Sequence, residues 1–310
     1  MTVRIYQNTD VGAPVLSNTA NSLNAVLEAC LVNGYGTQTA AGWTKAFTSG
    51  NTSVFRNSTT ALGSSGCYVQ VNDSNTSYAL ARAYKTMTAV NTGTDVTPNS
   101  GQMSQSDVFW FKYSYGTGTP KRWVIIADER TFYMNIFIAG AYPTDQADYC
   151  ALFGAGDFDS FVPGNNWNYM VFGSGSNSYT TSNKFPATGS AGQYTIAIGR
   201  PPNLALDTSS AGWCECLRST PGETGNHLVF STDTALRFFQ RPYLGSLSGG
   251  SVIIGEFRGC MYHVGRGVTT WMENFGKLPS DPTGPDLIQL VSVASVPSMV
   301  GSLLVKNSDW

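Results

Sequence analysis

The sequence predicts a mainly β protein, with sandwich- or barrel-like antiparallel sheets and one N-terminal amphipathic helix. Short segments rich in Val, Tyr, Phe, Trp and Ile recur along the chain, separated by clusters of Gly, Asn, Ser, Thr and Pro. Clear helical periodicity is found in one segment near the N-terminus. Hydrophobic residues make up 42% and aromatic residues 12% of the 310 residues, which is enough to build a core and excludes a disordered chain.

The first 36 residues are predicted to contain a strand and then the helix. Residues 3–7 alternate apolar and polar side chains, as a strand does. The helix is predicted from one apolar stripe at i, i+3, i+4, i+7 and i+8, formed by Leu23, Val26, Leu27, Cys30 and Leu31. Any hydroxyl or amide side chain among residues 17–22 is a candidate N-cap. Gly34 and Gly36 are expected to end the helix.

The rest of the chain up to residue 278 is predicted to form strands joined by turns. The predicted strands are Gly42–Thr48, Ser53–Asn57, Cys67–Asn72, Ala79–Met87, Asp107–Tyr115, Lys121–Asp128, Thr131–Ala139, Asp148–Ala155, Trp167–Gly173, Tyr194–Gly199, Val252–Phe257 and Gly259–Val264. Asp128, Glu129 and Arg130 are predicted to form a tight, solvated hairpin turn. Residues 173–192 and 245–250 show no periodicity and are predicted to be loops.

The chain is predicted to fall into three parts. Residues 1–180 would hold the helix and a first β-rich lobe, and residues 181–278 a second β-rich lobe. Three prolines and a glycine within residues 279–285 then suggest a linker. Beyond it, Asp286–Val293 and Ser302–Lys306 are predicted strands, so that residues 279–310 form either an arm or the closing hairpin of the core.

The low charge content and the lack of long apolar runs indicate which kinds of partner to expect. There are 18 Lys and Arg residues against 20 Asp and Glu residues, and charged residues are only 12% of the chain. A nucleic-acid partner is not expected, because no basic excess is present to neutralise phosphates. A membrane partner is not expected either, because no apolar run approaches the roughly 18 residues of a membrane span. A polar, weakly charged surface instead favours packing against copies of the same chain, so a homo-oligomer is expected.

The cysteines raise the question of a metal site. All six are more consistent with buried thiols in a reducing compartment than with a disulfide framework. The residues that could form a Cys₃His zinc site are Cys214, Cys216, Cys260 and His263. One residue between Cys214 and Cys216 is a tighter spacing than zinc sites favour. The prediction is therefore that no metal and no cofactor is bound, with these four residues as the alternative.

No catalytic constellation is found in the sequence, and the protein is not expected to be an enzyme. Asp157 and Asp159 could pair as acid and base, but their place before a turn favours a capping role. The chain lacks the Gly-x-Ser-x-Gly nucleophile motif and a phosphate-binding loop, and its only histidines are His227 and His263. Trp167, Tyr169 and Tyr179 flank Asn-rich loops and could stack on sugars, although rings of this kind more often fill a core.

Several segments resemble a family of tailed-bacteriophage virion proteins. The clearest is VRIYQNTDVGAPVLSNTANSLNAVLEACLVNGYG at Val3–Gly36, followed by GWTKAF at Gly42–Phe47. WVIIADERTFYMNIF at Trp123–Phe137 and FGAGDFDSFVPGNNWNYMVFG at Phe153–Gly173 are similar as well, and IIGEFRGCMYH at Ile253–His263 is a looser match. The resemblance covers about half of the chain and carries over no catalytic or binding residue.

The resemblance implies a virion structural protein in the head decoration, neck, tail or baseplate. Such a protein would be made in the cytoplasm of the bacterial host, in keeping with the absence of a signal-peptide pattern after Met1. It would act by self-association and by contacts with other virion proteins, with strand edges and the C-terminal arm as the expected contact surfaces. The alternative is a host-surface glycan-binding module at the tail tip, for which a glycan would be the partner.

Overall fold

The fold is taken from a computed structural model of the chain. It describes residues 2–99, 106–112, 121–137, 150–175, 194–198, 213–215, 238–240, 243–246, 252–265, 274–276, 287–292, 300–308 and 310.

The described residues form one helix and a long series of strands. Helix α1 is Ser22–Glu28 and continues as a π-helical turn over Ala29–Asn33. The strands are β1 (Arg4–Gln7), β2 (Thr44–Ser49), β3 (Thr52–Arg56), β4 (Tyr68–Asn72), β5 (Tyr78–Tyr84), β6 (Thr86–Ala89), β7 (Thr92–Thr94), β8 (Val108–Phe111), β9 (Arg122–Ala127), β10 (Thr131–Phe137), β11 (Cys150–Asp157), β12 (Asp159–Ser160), β13 (Tyr169–Ser174), β14 (Tyr194–Ile198), β15 (Trp213–Glu215), β16 (Phe238–Gln240), β17 (Tyr243–Ser246), β18 (Val252–Glu256), β19 (Cys260–Gly265), β20 (Asn274–Gly276), β21 (Leu287–Ser292) and β22 (Val300–Lys306).

The predicted mainly β class is confirmed. The largest sheet has eleven antiparallel strands in the order β1-β9-β10-β11-β13-β8-β5-β4-β3-β2, with β14 also paired to β13, and it curls into a half-barrel. Two smaller sheets have the orders β12-β18-β17-β15 and β16-β19-β22-β21-β20, and β6 pairs with β7. The short strand β12 is a direct link between regions distant in sequence, because Asp159 pairs with Glu256 of β18.

The helix covers one face of the large sheet. All five residues of its predicted apolar stripe are fully buried. They share a hydrophobic core with the side chains on the same face of the sheet, among them Val69, Trp110, Trp123 and Phe132. The predicted helix is therefore confirmed, and its apolar face is what fixes it against the sheet.

The opposite face of strands β9, β10, β11 and β13 is covered as well. Val124, Tyr133 and Phe172 on this face form a second core with side chains from the C-terminal half of the chain, including Phe257 and Val305. These strands are thus buried on both faces, which explains why their sequences are almost continuously apolar rather than alternating. The result is a layered, sandwich-like arrangement around the large sheet.

The local sequence correctly predicts where the helix ends, but it does not predict what caps its N-terminus. Gly34, with a φ of 77°, follows the last residue of the π-helical turn, as expected. At the N-terminus the prediction of a local cap is wrong. Asn21 makes no side-chain capping bond, and Asp73 Oδ2 instead accepts hydrogen bonds from the N–H groups of Leu23, at 2.8 Å, and Asn24, at 3.2 Å. The cap comes from the turn after β4, where Lys112 forms an ion pair with the same carboxylate.

Candidate functional site

A polar cleft lies between two loops at one end of the large sheet. One loop, residues 57–67, joins β3 to β4, and the other, residues 161–168, joins β12 to β13. The cleft has a volume of about 350 Å³. Its lining residues are mostly small or polar: Gly63, Ser64, Arg130, Asp159, Ser160, Val162, Pro163, Gly164, Asn165, Asn166 and Asn168.

The first wall of the cleft is held by the guanidinium of Arg130. Its Nη1 donates to the main-chain oxygen of Leu62 at 3.2 Å, and its Nη2 donates to that of Gly63 at 2.6 Å. Ser64 Oγ closes the same loop by donating to the main-chain oxygen of Ser58 at 2.5 Å. The buried guanidinium of Arg130 therefore fixes the tip of this loop through two main-chain oxygens.

The second wall is shaped by Asn165. Its Nδ2 donates to Ser160 Oγ at 3.0 Å, and its Oδ1 accepts from the N–H of Trp167 at 2.9 Å. An Asn side chain that bonds the backbone two residues on is a common way of stabilising a turn. Gly164, just before it, has a φ of 71°, a left-handed conformation that favours glycine.

Asn168 joins the two walls at the base of the cleft. The residue is only 4% exposed, and its Nδ2 donates to the main-chain oxygens of Gly63 at 3.3 Å and Phe158 at 3.1 Å. Its Oδ1 is buried and has no hydrogen-bond partner among the described residues. The same holds for the neighbouring Nε1 of Trp167. The base of the cleft thus has one buried acceptor, on the lining residue Asn168, that the described protein atoms do not satisfy.

Lys85 forms a second bridge between the loops. Its Nζ donates to the main-chain oxygens of Ser65 at 2.8 Å and Asn166 at 2.5 Å. The ammonium group also lies 5.8 Å from the ring centroid of Trp167, within the range of a cation–π contact. Burial lowers the pKa of Lys85 from its ordinary value of 10.5. Lys85 therefore ties one wall to the other through main-chain atoms.

A buried ion pair lies beneath the first wall. Arg130 Nε is 2.9 Å from Asp157 Oδ2, and Asp157 is fully buried. The carboxylate also accepts hydrogen bonds from Asn57 Nδ2 at 2.9 Å, Ser65 Oγ at 2.5 Å and the N–H of Ser65 at 3.1 Å. Burial raises the pKa of Asp157, and the adjacent guanidinium of Arg130 opposes this shift.

A second ionic cluster corrects one sequence prediction. Asp128, expected in a solvated turn, is fully buried, and Arg130 is nearly so. Asp128 Oδ1 accepts the N–H groups of Arg130 and Thr131, both at 2.8 Å, while its Oδ2 lies 2.6 Å from Arg258 Nη2. Asp128 can be buried because Arg258, far along the chain, supplies a compensating charge, whereas Glu129 between Asp128 and Arg130 is partly exposed. Arg258 Nη1 also lies 2.9 Å from Asp159 Oδ1 at the edge of the cleft.

The two aspartates considered for catalysis face different partners. The buried carboxylate of Asp157 pairs with Arg130. The carboxylate of Asp159 pairs with Arg258, and the Asp159 side chain is 42% exposed. Asp157 does not act as a local turn cap, as the partners of its side chain lie in the β3–β4 loop and in the turn between β9 and β10. Both carboxylates thus hold arginines that support the cleft.

The aromatic residues considered for sugar stacking do not act together. Tyr169 is fully buried, and its hydroxyl donates to the main-chain oxygen of Asp95 at 2.5 Å, so the prediction of a core ring is confirmed for this residue. Trp167 is partly buried beside Lys85. Tyr179 lies outside the described residues. Among described aromatic residues, Phe161 is the one next to the cleft that is half exposed, at 51%.

The four residues of the alternative zinc site are only partly described. The backbone of Cys214 lies on β15, whereas Cys260 and His263 lie on β19, in a different sheet. Cys216 and the side chains of Cys214 and His263 lie outside the described residues. Within the described part of the chain, no three His, Cys, Asp or Glu side chains are grouped as metal ligands. The metal alternative therefore remains a prediction that elemental analysis for zinc tests.

Sequence reasoning missed the residues that build the cleft. Lys85, Arg130 and Asn168 all act on main-chain oxygens of loops far away in sequence, and no local pattern reveals such contacts. One signal is visible in the sequence, namely the amides Asn165, Asn166 and Asn168, which lie in a predicted turn and in an Asn-rich loop flanked by rings that could stack on sugars.

Comparisons with known proteins add no assignment to this geometry. No protein-family model matches the chain, and no curated protein sequence matches it. Among the helices in the described ranges, none has the length and apolar character needed to cross a membrane.

Proposed function

We propose that the protein is a structural component of a bacteriophage virion, which acts by self-association and by contacts with other virion proteins. The observation that carries this proposal is where the chain places its few charges. Eight charged side chains are buried among the described residues: Asp73, Asp107, Lys112, Lys121, Asp128, Arg130, Asp157 and Arg258. A chain already poor in charge thus keeps part of that charge inside and leaves a surface with little repulsion between copies.

Two further features support association. Strand β2 lies at one end of the large sheet, and Thr44, Thr48 and Ser49 on it are exposed. An edge strand offers unpaired backbone groups to a strand from another chain. Val11 is 86% exposed and Leu62 is 90% exposed, so large apolar side chains are available for contacts at two other places.

The proposal is tested on the full chain in solution and on intact particles. Sedimentation velocity over a range of protein concentrations is expected to show a defined oligomer. Immunogold labelling of purified particles from an infected culture is expected to place the protein at a fixed position. A chain that stays monomeric at every concentration and is absent from purified particles would contradict the proposal.

A further inference from the structure

Lys112 and Asp73 are an amine and a carboxyl group that meet inside the protein. Lys112 follows strand β8 and Asp73 follows strand β4, and β5 lies between these two strands in the large sheet. Neither side chain has any exposed surface, and Lys112 Nζ contacts Asp73 Oδ1. We propose that the two side chains react to form an isopeptide bond between Lys112 Nζ and Asp73 Cγ. The bond forms within one chain, so it goes beyond the proposed role in assembly and does not depend on it.

The burial of this pair favours the uncharged forms that can react. The nucleophile is the free amine and not the ammonium ion, so the ion pair must first pass one proton from Nζ to Oδ1. Removing both groups from water disfavours their charged forms. Burial accordingly raises the pKa of Asp73 and lowers the pKa of Lys112, and in each case the charge of the partner opposes the shift. The proton transfer leaves an amine in contact with a carboxylic acid.

The hydrogen bonds around the pair hold the reacting atoms in place. Lys112 Nζ also donates to the main-chain oxygen of Thr19 at 2.9 Å. On the other side, Asp73 Oδ2 accepts the N–H groups of Leu23 at 2.8 Å and Asn24 at 3.2 Å. Two N–H groups on one oxygen stabilise the negative charge that develops there during acyl transfer. Fixed contact between amine and carboxyl also removes much of the entropic cost of bringing two reactants together.

The reaction balances without an oxidant, a reductant or a second substrate. The lone pair of Lys112 Nζ attacks Asp73 Cγ, and the electrons of the C=O bond move to Oδ2, where the N–H groups of Leu23 and Asn24 bind the oxyanion. The C=O bond then re-forms, and the bond from Cγ to Oδ1 breaks. The Oδ1 hydroxyl takes one proton from Nζ and leaves as water. The product is an amide that keeps one N–H.

The chemistry of the cation separates this pair from the other ion pairs of the fold. Arg130 and Arg258 also form buried pairs with aspartates, but a guanidinium stays protonated in proteins and has no nucleophilic nitrogen. Lys45 has an amine 2.9 Å from Glu28 Oε2, but the two side chains are 27% and 31% exposed. Water keeps both of these groups ionised. Lys112 combines the amine with complete burial.

The bond would act as a brace across three neighbouring strands. It joins residues 39 positions apart and connects the ends of β4 and β8 across β5. A covalent link that closes such a loop restricts the unfolded chain and so favours the folded state.

Intact mass spectrometry of the purified full chain tests the inference. The mass in denaturant with reducing agent is expected to be lower than the sequence mass by one water molecule. A mass equal to that of the unmodified sequence would overturn the inference.

Peptide mapping locates the cross-link. Trypsin does not cleave after an acylated lysine, so residues 57–82 and 86–121 are expected as one branched peptide. Fragmentation is expected to place the branch between Asp73 and Lys112. Separate recovery of residues 57–82 and 86–112 would overturn the inference, as would a loss of water that fragmentation places at other residues, such as a succinimide.

Matched variants identify the amine. Lys112→Arg keeps the buried positive charge but removes the nucleophile, so its mass is expected to equal that of its own sequence. Lys45→Arg changes the exposed pair in the same way and is expected to keep the loss of water. Loss of water in Lys112→Arg would contradict the inference. The wild-type peptide map decides the question even if Lys112→Arg does not fold, and the mass of the chain is independent of the sedimentation and labelling tests of assembly.

Discussion

Arg258 Nη2 lies 2.6 Å from Asp128 Oδ2 and joins two turns that are 130 residues apart in the sequence. Asp128 follows strand β9 of the large sheet, and Arg258 lies between β18 and β19 of the two smaller sheets. Both side chains are buried. The pair therefore fastens the C-terminal sheets to the large sheet, at the place where Phe257 and Phe172 also pack together.

Arg258→Met is expected to destabilise the protein by about 3–5 kcal/mol, because it leaves the buried carboxylate of Asp128 without its charge partner. The free energy of unfolding in urea measures this loss. Arg4→Met, which removes an arginine that donates to an exposed main-chain oxygen, is the matched control and should cost less than about 0.5 kcal/mol. Equal effects of the two substitutions would mean that the buried pair does not fasten the sheets.

Lys112→Met is expected to be similarly destabilising, because the ion pair of Lys112 with Asp73 is completely buried. Asp73 also caps α1, so the loss should include weaker protection of the first helical turn against amide hydrogen exchange. The double variant Lys112→Met with Asp73→Asn should recover part of the stability, since it removes the uncompensated charge. Additive losses in the double variant would contradict coupling between the two residues.

Lys85→Met should change how stability depends on pH. Burial lowers the pKa of Lys85 below 10.5, so between its folded-state value and 10.5 the unfolded chain binds more protons than the folded chain. Stability from this group therefore rises as pH increases through that window. The difference in free energy of unfolding between the wild type and Lys85→Met, measured from pH 7 to pH 10, should shift in favour of the wild type with increasing pH. A constant difference would show that the lysine is not perturbed.

Cys30 and Cys67 are expected to be unreactive in the folded protein. Cys30 and Cys67 are free thiols with no exposed surface, and burial raises the pKa of both. Because the thiolate is the reactive form, alkylation at pH 8 should leave both residues unmodified in buffer and modify both in urea. Peptide mass spectrometry reads each site separately. Rapid modification of Cys30 in buffer would mean that the helix does not stay packed on the sheet.

Thr48→Lys tests the edge strand as an assembly surface. A charge on β2 is expected to weaken self-association by about tenfold, because the lysines of two paired edges would face each other. Thr92→Lys adds the same charge at an exposed threonine of β7, which lies outside the large sheet, and should leave association unchanged. Sedimentation equilibrium compares the two. If both variants associate like the wild type, the contacts lie elsewhere on the molecule.

The periodicity of side chains along the sequence predicted the elements whose formation depends mainly on residues close together in the chain. The apolar stripe of α1 and most strands of the large sheet are visible in the sequence, because a repeating side-chain pattern reports one buried face. The cap from Asp73 and the burial of Asp128 were missed, because each depends on a partner brought close only by the fold. The predicted loop over residues 245–250 also begins inside β17, whose Gly245 and Ser246 pair with β18. Pairing with a neighbour decides such a short strand, and periodicity does not.

The three side chains that hold the cleft together all act on main-chain oxygens. Arg130 binds those of Leu62 and Gly63, Lys85 binds those of Ser65 and Asn166, and Asn168 binds those of Gly63 and Phe158. Every amino acid offers the same main-chain oxygen, so this frame tolerates exchange of the side chains that the loops display. The rim could therefore diverge quickly under selection while the scaffold stays constant, much as antibody loops vary on a fixed framework.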